Sequence, residues 1–253
     1  LETNIKIMEN IAGKTIGGIV AEDYRTAEVF KNHGIDFCCN GNRDLAEACA
    51  EKNVDLAQLM EEIGNATEGK PGNTADFKTW PLDLLADYIE KTHHRYVEAQ
   101  LPVLKQYLKK LCEVHGNNHP ELFEIHDEFN VSAGELAAHM KKEEFILFPY
   151  IRKMEKARGS KTVLAAPHFG TVQNPVQKMM DEHVAEGDRF EKISRLSNHY
   201  IPPADGCNTF KVAFALLKEF EDDLHLHIHL ENNILFPRAI EMEKKLAPQA
   251  PEA

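Results

Sequence analysis

Apolar residues recur at helical spacing over four long stretches of this chain, and no stretch alternates apolar and polar with the period of two that marks a strand. The pattern predicts an all-α fold. The first long helix starts near Pro81, where proline suits a first turn, and runs to about residue 113 with a kink at Pro102. The second spans about 120 to 157, bent or restarted at Pro149. The third spans 175 to 197, and the fourth 209 to 245 with a bend at Pro237. Gly159-Ser160, and a loop carrying Pro202-Pro203 and Asp205-Gly206, break the chain between them. Four long helices joined by loops imply an antiparallel bundle over residues 80–246.

Shorter elements precede the bundle. Residues 21–33 form one amphipathic stretch, stopped at Asn32-His33-Gly34. Residues 36–41 read as a turn, 45–52 as a short helix, and Asp55 as the cap of another that reaches Ile63. The pattern therefore predicts a small helical domain over 15–64 and a linker over 65–79, rich in Gly, Asn, Thr and Lys with Pro71-Gly72 inside it. Residues 1–7 read as a frayed or foreign end with Met8 as a candidate start, and 247–253 as a frayed tail.

Two of the long helices carry the same short pattern in the same register. His139-x3-Glu143 is followed by Ile146-Leu147-Phe148-Pro149, and His227-x3-Glu231 by Ile234-Leu235-Phe236-Pro237, the starts lying 88 residues apart. A His and a Glu four apart share one helix face, about 6 Å apart along the axis. A single pair on an exposed face is ordinary solvated charge. Two pairs, each followed by the same apolar anchor, belong to buried faces, where a carboxylate is rare unless paired or ligated. This suggests a duplicated metal half-site. An upstream histidine completes each copy: His94, 45 residues before His139, and His183, 44 before His227. Spacing alone leaves His93 and His94 as alternatives. Imidazoles and carboxylates projecting into a bundle core can hold two metal ions, and this nitrogen and carboxylate mixture suits iron.

Composition narrows the field. Twenty-nine basic against 41 acidic residues give a net charge of −12, which argues against a nucleic-acid partner. No apolar run approaches the roughly 20 residues of a membrane span, and no secretory signal is visible. Five cysteines without regular spacing do not form a disulfide framework. Reduced thiols beside an iron site point to the cytoplasm.

With these motifs in hand, the C-terminal part resembles haemerythrin-like domains. Over residues 15 to 245 the chain resembles the iron–sulfur cluster repair di-iron proteins, also called the RIC or ScdA family. The duplicated pattern carries the resemblance, together with Gly17-Gly18-Ile19-Val20, Ala27-Glu28-Val29-Phe30 and the run Gly34-Ile35-Asp36-Phe37-Cys38-Cys39-Asn40-Gly41. The family's first ligand stands six residues before a Gln-Leu-Pro, here Gln100-Leu101-Pro102, which selects His94. The resemblance implies two iron ions joined by an oxo or hydroxo bridge. It implies that His94 and His139 hold one and His183 and His227 the other, with Glu143 and Glu231 bridging.

Other residues enter as candidates. Glu135 and Asp223 stand four before His139 and His227, and Glu182 immediately precedes His183; each is placed to orient a ligand or deliver a proton, or else is surface charge. His225 and His229 face away from His227, His229 toward solvent. Vicinal Cys38 and Cys39 at a turn suit redox exchange or iron transfer better than packing, whereas Cys49, Cys112 and Cys207 read as incidental. The expected function is repair of iron–sulfur proteins damaged by nitrosative or oxidative stress, by iron donation, by reaction with nitric oxide, or both. The alternatives are a sensor or carrier of oxygen, nitric oxide or iron, and nitric oxide reduction at adjacent irons. A homodimer is a further candidate partner arrangement, with the N-terminal domain folding onto the bundle or onto a second chain.

Overall fold

The computed structural model describes residues 13–68, 75–160, 162 and 164–246, and among them it contains helices and no strand. The expected ends, 1–7 and 247–253, and the linker's Pro71-Gly72 lie outside the described residues. The chain divides into two compact units. One comprises Leu1–Pro81 with Ile228–Arg238, the other Leu82–His227 with Ala239–Ala253.

Among the described residues of the first unit, four α-helices follow one another: α1 (Ile16–Glu22), α2 (Thr26–Asn32), α3 (Leu45–Lys52) and α4 (Leu56–Thr67). The single stretch expected over 21–33 is broken at Asp23. Its carboxylate accepts the Arg25 backbone N–H at 3.1 Å and is clamped by the Arg25 guanidinium, a local turn that competes with helix. The expected stop at Gly34 is present: Gly34 takes φ +63°, and the Ile35 N–H returns to the Phe30 carbonyl at 2.9 Å. Asp44 and Asp55 cap α3 and α4 through N–H bonds from Ala46 and Gln58, and α4 runs one turn past Ile63. Ile16, Phe30, Leu59 and Ile63 are the buried centre of this unit.

The second unit is built on long helices: α5 (82–115), α6 (121–160), α7 (Gln173–Leu196) and α8 (208–246), the last of which lends its stretch 228–238 to the first unit. From Arg95 onward the buried residues of α5 fall at Val97, Leu101, Leu104, Leu108 and Leu111, the alternating four-three spacing of a single inward stripe. Phe129, Phe190 and Phe220, from α6, α7 and α8, meet with ring centroids 5.6 to 6.5 Å apart. Each such side chain contributes about 1.5–3 kcal/mol on burial. Carboxylates from neighbouring helices satisfy two helix starts: Glu155 accepts the Leu82 N–H and Glu243 the Val172 N–H.

Three π-helical stretches interrupt the long helices: Ile89–His94, Glu143–Leu147 and Glu231–Leu235. The last two have a cause in the repeated motif. Pro149 and Pro237 have no N–H for the carbonyl four residues back. Just before them, the Phe148 and Phe236 N–H groups reach five residues back, to Glu143 and Glu231. The disturbance expected at each proline thus falls before it, on a stretch that begins at the glutamate itself, a frequent setting for functional residues. Pro102 lies inside the continuous α-helical stretch Arg95–His115.

Candidate metal centre

The six residues singled out by spacing and resemblance come together. Donor atoms of His94, Glu143, His227 and Glu231 lie within 4.8 Å of one another, and so do those of His139, Glu143, His183 and Glu231. The two groups share both glutamates. All six residues are buried, and Glu143 and Glu231 are completely so. Two carboxylates in an apolar core are costly unless something positive sits between them. The His139 and His183 Nε2 atoms face each other at 3.0 Å, and Glu143 lies 3.3 Å from His94 and 3.4 Å from His139. This donor set fits two ions with nitrogen terminal ligands and shared carboxylates.

The pairing of histidines differs from the expected one. His94 is grouped with His227, their rings 5.0 Å apart, and His139 with His183, their rings 4.7 Å apart. Each helix of a bundle has two neighbours, and the one whose histidine sits at the same height becomes the partner. Spacing along the chain does not encode that height.

Further carboxylates hold the imidazoles. His139 Nδ1 lies 2.8 Å from Glu182, the residue before His183 in the chain, and Lys142 also pairs with that carboxylate. The bond to His139, and the Lys142 ammonium beside it, hold the Glu182 acid down at about 2. Its contribution to folding is therefore complete above the ordinary 4.5 and lost as pH falls toward about 2. His94 Nδ1 lies 3.1 Å from Glu144. Burial works against a charged Glu144, but Lys141, His94 and Arg95 together keep its acid low. Glu144 stands beside a ligand candidate in the motif, and nothing in spacing distinguishes it from surface charge.

Other candidates go elsewhere. Glu135 is exposed and pairs with Arg189 at 2.8 Å, because a carboxylate from α7 already occupies His139 Nδ1. Asp223 meets His93 at 2.9 Å, and the buried His93 ring stacks on His227 at 5.5 Å without joining either donor group. His229 is buried, not exposed. It packs against Tyr24 and Phe37 and bonds Asn233 at 3.0 Å, and burial pushes its pKa down to about 4.

Cys38 and Cys39 sit on the loop that these contacts anchor. Asp36 accepts both cysteine N–H groups at 2.9 Å and the Asn40 N–H at 3.1 Å. Asn232 and Asn233 donate at 3.1 Å to the Cys38 and Phe37 carbonyls. A Cβ on Gly17 would stand 2.1 Å from the Asn233 Oδ1, and one on Gly41 2.3 Å from the Phe37 oxygen, which explains both glycines. The hydrogen bond with Cys39 and burial push the Cys38 thiol well up. Cys207, by contrast, is exposed at the start of α8, and the Phe210 N–H and His115 lower its thiol to about 7.

Among the described residues no helix is long and apolar enough to cross a membrane. Residues 85–239 match the family model described as the hemerythrin HHE cation binding domain, and residues 12–67 match ScdA_N, a domain of unknown function. The chain is 31% identical over 221 residues to the iron-sulfur cluster repair protein ScdA of Staphylococcus haemolyticus, covering 87% of this chain and 95% of that protein. It is 32% identical over 230 residues to the iron-sulfur cluster repair protein YtfE of Yersinia pseudotuberculosis, covering 91% and 98%. The YtfE of Yersinia pestis is similar to the same extent.

Proposed function

Since the chain belongs to the family of iron–sulfur cluster repair proteins, with an ScdA_N segment and a haemerythrin domain, we propose that it repairs damaged iron–sulfur clusters with iron held at a two-metal centre. His94 and His227 would hold one ion and His139 and His183 the other, with Glu143 and Glu231 available to both. The observation that carries this reading is the pair of donor groups sharing two wholly buried glutamates. Bound iron supplies the redox chemistry and the metal that a damaged cluster has lost. The chain supplies placement: Glu182 and Glu144 fix the rings of His139 and His94, while Lys142, Lys141 and Arg95 hold those carboxylates ionised. Partners are iron–sulfur proteins damaged by nitric oxide or oxidants, met in the cytoplasm.

The test is reactivation. Iron-loaded protein, mixed anaerobically with an enzyme whose cluster nitric oxide has damaged, should restore activity while losing its own iron. No reactivation, or equal reactivation by a Glu143→Ala variant that binds no iron, overturns the reading.

The orienting carboxylates give a separate expectation. Glu182→Gln and Glu144→Gln should each weaken iron retention about 10–100-fold in competition with a chelator, the usual cost of losing such a partner. Glu135→Gln should leave retention unchanged, because its contact is Arg189. A Glu135 effect as large as that of Glu182 would contradict this placement.

A further inference from the structure

We propose that Asp36, Cys38 and Cys39 form a separate metal site, one that takes a single thiophilic divalent ion in tetrahedral coordination with the fourth position left open. The donor atoms of these three residues lie within 4.8 Å of one another. Two sulfurs bound to one ion by bonds of about 2.3 Å, at the tetrahedral angle, stand about 3.8 Å apart. The Cys38 and Cys39 sulfurs are 3.7 Å apart. A sulfur and a carboxylate oxygen on the same ion, with the oxygen at about 2.0 Å, stand about 3.5 Å apart. Asp36 Oδ1 lies 3.3 Å from the Cys38 sulfur. Both edges match such an ion within about 0.2 Å. In the metal-free loop these same contacts are hydrogen bonds of the Cys38 thiol, so an ion would take the place of the thiol protons with little movement of the donor atoms.

The loop is also fixed from both sides. Asp36 is aimed by the N–H groups of Cys38, Cys39 and Asn40, and the Phe37 and Cys38 carbonyls are held by Asn233 and Asn232. Donors that do not need ordering on binding keep more of the coordination energy. Cys38 is buried and Cys39 half-buried, so an ion enters from the Cys39 side. Loading is an exchange without electron transfer: two metal–sulfur bonds form, two S–H bonds break, and two protons leave to solvent. Two thiolates select zinc-like and ferrous ions over magnesium or calcium. A three-donor site with an open position suits an ion in passage. The purpose rests on the repair reading above, in which that ion is ferrous iron on its way to a damaged cluster; the existence of the site does not.

Cobalt(II) is the probe, because thiolate ligation gives it a charge-transfer absorption that histidine and carboxylate ligands do not. The full chain, with iron already at the His/Glu centre, is titrated anaerobically with cobalt chloride. The expected result is a thiolate-to-cobalt band that saturates at one cobalt per chain and is unaffected by excess magnesium. Asp36→Asn, which keeps an oxygen for the Cys38 and Cys39 N–H groups, should weaken cobalt binding about tenfold or more. The Cys38→Ser/Cys39→Ser variant should lose the band while retaining its iron and circular dichroism. If that variant does not fold, Cys39→Ser alone should lose most of the band. Cys207→Ser should keep it. A band that is absent, that survives the serine changes, or that disappears with Cys207 overturns the proposal. Cluster reactivation is measured on the same preparations. A parent protein that binds cobalt here yet restores no cluster overturns the repair reading and supports this site.

Discussion

Alanine at Glu143 or Glu231 is expected to cost the chain nearly all of its iron. Each glutamate belongs to both donor groups, so one substitution takes a ligand from both ions at once. It also halves the negative charge available to offset two buried cations. Metal analysis should therefore fall from about two irons per chain to near zero. His183→Ala removes a donor from one group only and should leave an intermediate content. His229→Ala should leave the iron in place. Its cost falls on the first unit, where the ring packs on Tyr24 and Phe37 and bonds Asn233, and a lost buried contact of that kind is worth about 1–3 kcal/mol. If His229→Ala empties the centre while His227→Ala does not, the register assigned to α8 is wrong.

Removal of the metal from the unaltered chain should lower its melting temperature on the order of 15–30 °C. An ion present at a thousandfold excess over its dissociation constant stabilises the folded state by about 4 kcal/mol, and two ions by about 8. In a domain of this size one kcal/mol corresponds to roughly 2–4 °C. The apo core holds two buried carboxylates among four imidazoles with no cation between them, a costly arrangement. Calorimetry of chelated and iron-loaded protein measures the difference. Equal melting of the two forms would place the metal outside the core.

What the sequence could and could not convey follows the range of the forces involved. Helices at 82–115, 121–160, 173–196 and 208–246 lie within a few residues of the spans read from periodicity, because an inward stripe and a cap are local features. The exception is residues 21–33, where the Asp23–Arg25 turn outcompeted an amphipathic pattern that looked continuous.

The six ligand candidates were legible for a similar reason. His139 with Glu143, and His227 with Glu231, are held on one face by the helix repeat itself, and duplication made the pair conspicuous. His94 needed the likeness to a family, since spacing could not separate it from His93. Only the folded chain decided the rest. Whether His94 shares an ion with His139 or with His227 depends on which side chains reach the same height across the bundle. Glu144 and Glu135 are equally acidic neighbours in the sequence, yet one meets His94 and the other Arg189 at the surface. His229 looked exposed because its own helix turns it away from the ligands, and it is buried because residues some 200 positions earlier pack on it. The sequence by itself determined on which helix faces the two His-x3-Glu pairs stand. The tertiary structure decided which of them meet, because contacts between distant segments depend on helix height and packing that no local pattern records.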